Sequence, residues 1–311
     1  MEKITDAANP YRAGVVALAG PPNAGKSSIV NALLHEHAAA VSSKPQTTRN
    51  AVRCIFTTDE YQMVIIDTPG THRPKYALGE FMMEETGRAL ESADAVCFVV
   101  EALCERAGDW DDIYRRLEKI RAPIVLAVNK IDRLRGKNED VFFKFIEPIQ
   151  ERIKPAFVVP VSALDGTNLD LLASELSKFL PEGEAIYPED VMMDATERFL
   201  AGEIIRERIF EATEQEVPHS VAVMIEEFKS PDEYPELRRI EARADIIVER
   251  PGQKGILIGR DGAKLKSIIA EARRVMERRF GYPVSLKLWV KVKPQWRKSM
   301  SGIRNAGYRR A

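Results

Sequence analysis

Residues 20 to 27 read Gly-Pro-Pro-Asn-Ala-Gly-Lys-Ser, a G-x-x-x-x-G-K-S spacing set between segments of different periodicity. The apolar run Val15–Ala19 precedes them, and Ile29, Leu33 and Leu34 follow at helical spacing. Strand, glycine-rich turn and helix in that order constrain the chain more than any other feature. Successive backbone N–H groups of such a turn form a concave anion site at a helix N-terminus, where the helix dipole also favours negative charge. Gly20 and Gly25 let the backbone approach a phosphate with no Cβ in the way. Lys26 is then placed to reach the β- and γ-phosphates, and the Ser27 hydroxyl to bind Mg²⁺. Pro21, Pro22, Asn23, Ala24 and Ser28 complete the expected cradle.

The segments that follow specify which nucleotide. Residues 42–50 are polar and aperiodic, the pattern of a loop, and carry adjacent threonines. In P-loop GTPases a threonine after the first helix senses the γ-phosphate through Mg²⁺; Thr48 is favoured over Thr47. Strand-like runs at 52–57 and 62–66 end in Asp67-Thr68-Pro69-Gly70, a D-x-x-G. An acid there can hold a Mg²⁺-bound water, and Gly70 can give its N–H to a γ-phosphate. Thr71 occupies the position where some GTPases carry a water-orienting glutamine. After the apolar runs 95–100 and 123–128 comes Asn129-Lys130-Ile131-Asp132, an N-K-x-D. A carboxylate at 132 accepts from guanine N1–H and the 2-amino group together, and adenine would leave it unpaired. Ser162-Ala163-Leu164, after the run 157–161, is the expected backbone contact to the base. Further helices are expected over 80–92, 109–121 and 168–180. Alternating apolar strands and helices predict a doubly wound, mostly parallel sheet with its site at the strands' carboxyl ends.

The net charge of −1 averages two unlike regions. Residues 251–311 hold 16 Lys and Arg against three acids (Asp261, Glu271, Glu277), a balance of +13; the first 250 residues hold 30 bases and 44 acids, −14. A cationic excess kept up over sixty residues points to a polyanion partner. The same region carries Ile258-Gly259-Arg260-Asp261-Gly262, a G-x-x-G ahead of a basic segment in which Leu265, Ile268, Ile269, Ala272 and Met276 recur at helical spacing. A helix over 195–210 and strands over 220–228 and 240–248 are predicted before it. Residues 286–293 alternate, and predict a half-buried strand with lysines on one face and apolar residues on the other. This is the pattern of a KH module, in which the G-x-x-G loop clamps the backbone of about four unpaired nucleotides. Expected RNA contacts are Ile258, Gly259, Arg260, Asp261, Gly262, Lys264, Lys266, Arg273, Lys287, Lys291 and Lys293. Three cysteines with no C-x-x-C spacing, a polar start and no apolar run of membrane-spanning length fit a cytoplasmic protein.

The four nucleotide motifs, Pro45-Gln-Thr-Thr-Arg49, Tyr187-Pro-Glu-Asp190, Arg198-Phe199, Glu203-Ile-Ile-Arg-Glu207, Leu288-Trp-Val-Lys-Val-Lys293 and Gly307-Tyr308 together resemble the Era family, bacterial GTPases with a C-terminal KH domain. The resemblance implies a P-loop GTPase domain over 1–180, a linker over 181–192, and an α+β type II KH domain over 193–311. It further implies GTP hydrolysis as a checkpoint in small (30S) ribosomal subunit maturation, with Mg²⁺ as cofactor and the 3′ end of 16S ribosomal RNA as partner. A monomer, with peripheral association at the inner face of the cell membrane, belongs to the same expectation. Asn23 matches the P-loop asparagine of related GTPases in which K⁺ sits near the phosphates and replaces an arginine finger. The expected catalytic set is Asn23, Lys26, Thr48 and Gly70. The absent glutamine keeps open a second reading, an RNA-binding assembly factor that holds GTP as a structural ligand. A small-molecule P-loop kinase is disfavoured by the N-K-x-D.

Overall fold

A computed structural model describes residues 10–36, 39–40, 44, 47–70, 76–104, 110–134, 136 and 139–308. The chain divides into two units: residues 1–39, 48–73 and 82–194, and residues 40–47, 74–81 and 195–311.

The first unit is built on a seven-stranded sheet. In chain order its elements are β1 (Arg12–Ala19), α1 (Lys26–Leu34), β2 (Val52–Thr57), β3 (Tyr61–Asp67) and α2 (Ala77–Glu91), whose first turn belongs to the second unit. Then come β4 (Ala95–Glu101), α3 (Asp111–Leu117), β5 (Ile124–Asn129), α4 (Glu139–Ile153), β6 (Phe157–Pro160), α5 (Leu169–Ser177) and β7 (Met193–Asp194). The strand order is β6-β5-β4-β1-β3-β2-β7, with β2 alone running against the rest and so antiparallel to both β3 and β7. Helices cover both faces, so β4 and β5 are buried on both sides and read as unbroken apolar runs. Val96, Phe98, Leu126 and Val128 are fully buried at the centre of that core. The phosphate loop, the D-x-x-G, the N-K-x-D and the S-A-L turn leave the carboxyl ends of β1, β3, β5 and β6.

Two helices of this unit differ most from expectation. The helix predicted over 109–121 is confined to Asp111–Leu117, because Lys119 and Ile120 donate to Arg116 and Leu117 and tighten the last turn. Helix α4 was not expected: Pro148 sits inside it, and the helix is held by an apolar stripe of Ile146, Ile149 and Ile153.

Residues 181–192, expected as a linker, lie along the first unit. Gly183 donates to the Tyr11 carbonyl, Ala13 donates to that of Pro181, and Ile55 to that of Met192. β7 then adds an edge strand to β2. The fully buried Gln62 clamps the strap: its Oε1 accepts from Ile186 N (2.7 Å) and Tyr187 N (2.8 Å), while Nε2 donates to Tyr187 O (2.8 Å).

The second unit carries α6 (Glu197–Ala212), α7 (Val217–Ser220), β8 (Ala222–Lys229), β9 (Ile240–Val248), α8 (Pro251–Ile258), α9 (Ala263–Phe280), β10 (Val284–Val292) and α10 (Met300–Arg304). The sheet order is β10-β9-β8, with β10 parallel and β8 antiparallel to β9. Ile205 and Ile209 of α6 and Ile268, Ala272 and Met276 of α9 pack with Ala244, Ile246, Leu288 and Val290. Helix α8 was also not expected. Gly252 and Gly255 weaken the helical signal, but Pro251 occupies its first turn and Gln253 Oε1 accepts from Glu249 N and Arg250 N. Strand β10 alternates as expected with one exception: Trp289 falls on the exposed lysine face.

Replacing Gln62 with leucine removes the acceptor of two backbone N–H groups in a buried setting. The first unit should lose about 2–4 kcal/mol. A lower urea midpoint for that unit, with faster proteolysis between residues 181 and 194, is the expected result.

Candidate functional site

The phosphate loop is closed by contacts that only its glycines allow. Gly20 has φ 152°, and a Cβ there would stand 2.2 Å from the Val99 carbonyl oxygen. Gly25 has φ 95°, and its Cβ would meet the Asn129 amide nitrogen at the same distance. Asn23 also adopts a left-handed conformation (φ 64°) and is exposed. Between these turns Lys26 is buried, its Nζ donating to the carbonyls of Gly20 (3.0 Å) and Pro21 (3.1 Å). Burial lowers its pKa to about 8, against the attraction of Asp67. Gly70 lies against this loop, where a Cβ would come within 2.8 Å of Pro22 Cα.

Three hard oxygens converge at the start of α1. Ser27 Oγ donates to Asp67 Oδ2 at 2.6 Å and lies 3.0 Å from Thr48 Oγ1, which is itself 3.3 Å from Asp67 Oδ2. Burial raises the pKa of Asp67; the Ser27 hydrogen bond, the Lys26 charge and the Thr48 hydrogen bond pull it back. Two hydroxyls and one buried carboxylate are the donors Mg²⁺ takes, with room left for phosphate and water oxygens. Thr47 points elsewhere, donating to the Lys44 carbonyl at 2.8 Å. Thr68 donates to the Leu18 carbonyl and Thr86 to that of Pro69, which pins the D-x-x-G turn to β1 and α2. Thr71 lies outside the described residues.

The base end is tied to the phosphate end by Asn129. Its Nδ2 donates to the Ala24 carbonyl (2.9 Å), and its Oδ1 accepts from Lys130 N (2.8 Å) and Ala163 N (3.1 Å). One buried amide thus joins the phosphate loop, the N-K-x-D turn and the S-A-L turn. Ser162 Oγ donates to Asp132 Oδ1 at 2.9 Å and orients that carboxylate, while Leu164 is 84% exposed at the rim. Lys130 has φ 66°, and its Nζ donates to the Asn23 carbonyl (2.8 Å) and Glu101 Oε2 (2.7 Å). Arg133 meets the other oxygen of Glu101. Glu101 is the residue the motifs missed. Its signal was a lone acid closing the apolar run of β4, in register with Asn129.

In the second unit the G-x-x-G loop joins α8 to α9. Gly259 (φ 72°) would place a Cβ 2.7 Å from that of Lys264, and Asp261 (φ 52°) and Gly262 (φ 76°) are also left-handed. The turn throws out the Arg260 and Asp261 side chains, 98% and 95% exposed and 4.0 Å apart. Lys266 and Arg273 are exposed on α9; Ile258 and Lys264 are half-buried. Some expected contacts have protein partners: Arg273 pairs with Glu277 at 3.7 Å, Lys291 with Asp245, and Lys293 Nζ donates to the Asn305 carbonyl at 3.0 Å.

Residues 15–130 match a family described as a 50S ribosome-binding GTPase, and residues 216–297 match the KH domain. Among solved structures the chain is similar to a point variant of Aquifex aeolicus Era bound to GDP·AlF4⁻, with 39% identity, a TM-score of 0.87, and 95% of this chain and 99% of that one covered. It is also similar to an Era in complex with MgGDPNP and nucleotides 1506–1542 of 16S ribosomal RNA, with 38% identity, a TM-score of 0.89, and coverage of 96% and 99%. The chain belongs to the Era family. Its Era-type architecture, a P-loop GTPase sheet followed by a KH module, accounts for both units. Among the described residues no helix is long and apolar enough to cross a membrane.

Two measurements follow for this Era-family site. Lys26 loses its proton above about pH 8 when no anion is bound, and a polyphosphate favours the charged form. GTP affinity should therefore fall about tenfold between about pH 7 and pH 9. Lys26→Ala should lack that slope, and an equal slope in both proteins would contradict the assignment. Asp132→Asn should move preference from GTP towards xanthosine triphosphate, because an amide offers donors where guanine also donates. Competition binding decides it, and unchanged GTP affinity would refute the base assignment.

Proposed function

We propose that this protein is a GTP-hydrolysing switch that binds the 3′ end of 16S ribosomal RNA through its KH module and acts in small ribosomal subunit maturation. The observation that carries the reading is the convergence of Lys26, Ser27, Thr48 and Asp67 beside an Asn129-tied base pocket. Two Era structures, one with GDP·AlF4⁻ and one with MgGDPNP and 16S RNA, support the ligands. The GTP-handling domain ends near residue 180, the connection that follows is strapped onto it as far as Asp194, and the KH module lies within 195–311. The protein works in the cytoplasm.

In the nucleotide site the loop amides and the Lys26 ammonium stabilise charge on the transferring phosphoryl group. Ser27, Thr48 and Asp67 would hold Mg²⁺, which would supply positive charge against the phosphates. Gly70 offers its N–H to the γ-phosphate. Asp132 and the turns at 129–132 and 162–164 select guanine. With no glutamine at 71, intrinsic turnover is slow, and Asn23 is the residue that would hold K⁺, which would supply the positive charge of an arginine finger. Loss of the γ-phosphate releases residues 42–50 and 68–80.

Single-turnover GTP hydrolysis tests the reading. Phosphate release should be measurable, faster in KCl than in NaCl, and lost in Lys26→Ala. No release in either salt would favour the reading in which GTP is a structural ligand. Affinity for RNA should drop about a hundredfold between roughly 50 and 200 mM salt if about five phosphates are contacted. A flat response would refute KH-mediated RNA binding.

A further inference from the structure

The outer face of the β10-β9-β8 sheet holds a side chain used by neither site. Trp289, midway along β10, is 46% exposed, whereas Trp110 and Trp296 are 6% and 2% exposed. Strand alternation sets its direction: Leu286, Leu288 and Val290 enter the core, so Lys287, Trp289 and Lys291 share the opposite face. Two residues along a strand span about 6.7 Å, which puts the base of a lysine on each side of the indole. The register of the neighbouring strand sets Arg243 opposite Lys287 and Asp245 opposite Trp289. Asp245 is buried and ion-paired with Lys291; Glu227, opposite Arg243 on β8, pairs with Lys229 at 2.9 Å and more loosely with Arg243 at 4.0 Å. The face over β8 and β9 is closed, since Asp245 and Ile247 are buried and Gly307 lies against Met224. Along β10 it stays open.

An exposed indole ringed by Lys287, Lys291 and Arg243 does not seal the core, which the other parity of β10 already does. It does match what an unpaired nucleotide presents, a π-face next to a phosphate. A duplex hides its base faces, so the occupant is single-stranded. We propose that Trp289 is a stacking platform for an unpaired base lying outside the four-nucleotide clamp of the G-x-x-G loop, with Lys287 and Arg243 meeting the flanking phosphates. The proposal rests on the RNA-binding reading above.

The test titrates the full chain with RNA comprising nucleotides 1506–1542 of 16S ribosomal RNA and follows both affinity and tryptophan emission. Wild-type emission should be quenched on binding. Trp289→Ala should bind about tenfold more weakly, and Trp289→Phe should stay within about threefold with the quench gone. Thermal unfolding of each variant separates a merely structural role, which would lower the melting temperature and leave wild-type emission unmoved by RNA. Wild-type binding with unmoved emission and an unaffected alanine variant overturns the platform and leaves the KH reading standing. Self-association of the wild type that the alanine variant loses, with RNA affinity unchanged, assigns the face to a second copy and also overturns it. No RNA binding by the wild type overturns both readings.

Discussion

A buried ammonium and a buried carboxylate, Lys26 and Asp67, define the site around which the first unit is arranged. Burial drives each toward its neutral form, and each is held by polar groups supplied by the loops: the Gly20 and Pro21 carbonyls for Lys26, the Ser27 and Thr48 hydroxyls for Asp67. Such a pair is costly in isolation. The cost is offset when a polyphosphate and a divalent cation arrive together, because each brings the charge the other residue lacks.

Holding those groups in place falls to the sheet. β1 and β3 deliver the phosphate loop and Asp67 from adjacent parallel strands, in register from Arg12 with Tyr61 to Leu18 with Asp67. β5 delivers Asn129 two strands away, and the Asn129 amide spans the gap to the Ala24 carbonyl. This bond requires the amide to approach Gly25 so closely that any side chain at 25 is excluded. Base recognition and phosphate binding are therefore mechanically one site, and a shift of the N-K-x-D turn is felt at the phosphates.

What the sequence made legible was chemistry at short range. The phosphate loop, the D-x-x-G, the N-K-x-D and the G-x-x-G loop each need particular residues at fixed spacing, and each stands where the spacing implied. Contacts made over long separations were illegible. Nothing in Gln62 announces that its amide will clamp residues 186 and 187, since the partners are some 125 positions away. Helices α4 and α8 were hidden by Pro148 and by Gly252 and Gly255, local signals that tertiary packing overrode. Trp289 lay between: strict alternation puts it with the lysines, yet its apolar character argued for the core. The wild-type parity of β10 resolves the conflict, because Leu288 and Val290 already fill the inward positions.

The division of the chain into units links the two chemistries. Thr48 belongs to the nucleotide unit, while Lys44 and Thr47 belong to the unit carrying the KH module. Within the second unit Lys44 Nζ meets the Phe210 and Thr213 carbonyls at the end of α6, where a cation complements the helix dipole. Tyr76 lies under Arg297, and Phe81 meets Tyr308 edge-on at 5.9 Å. Thr47, whose Oγ1 donates to the Lys44 carbonyl, and Thr48, whose Oγ1 stands beside Ser27 and Asp67, are consecutive residues assigned to different units, so the chain changes unit at the residue that completes the Mg²⁺ donor set.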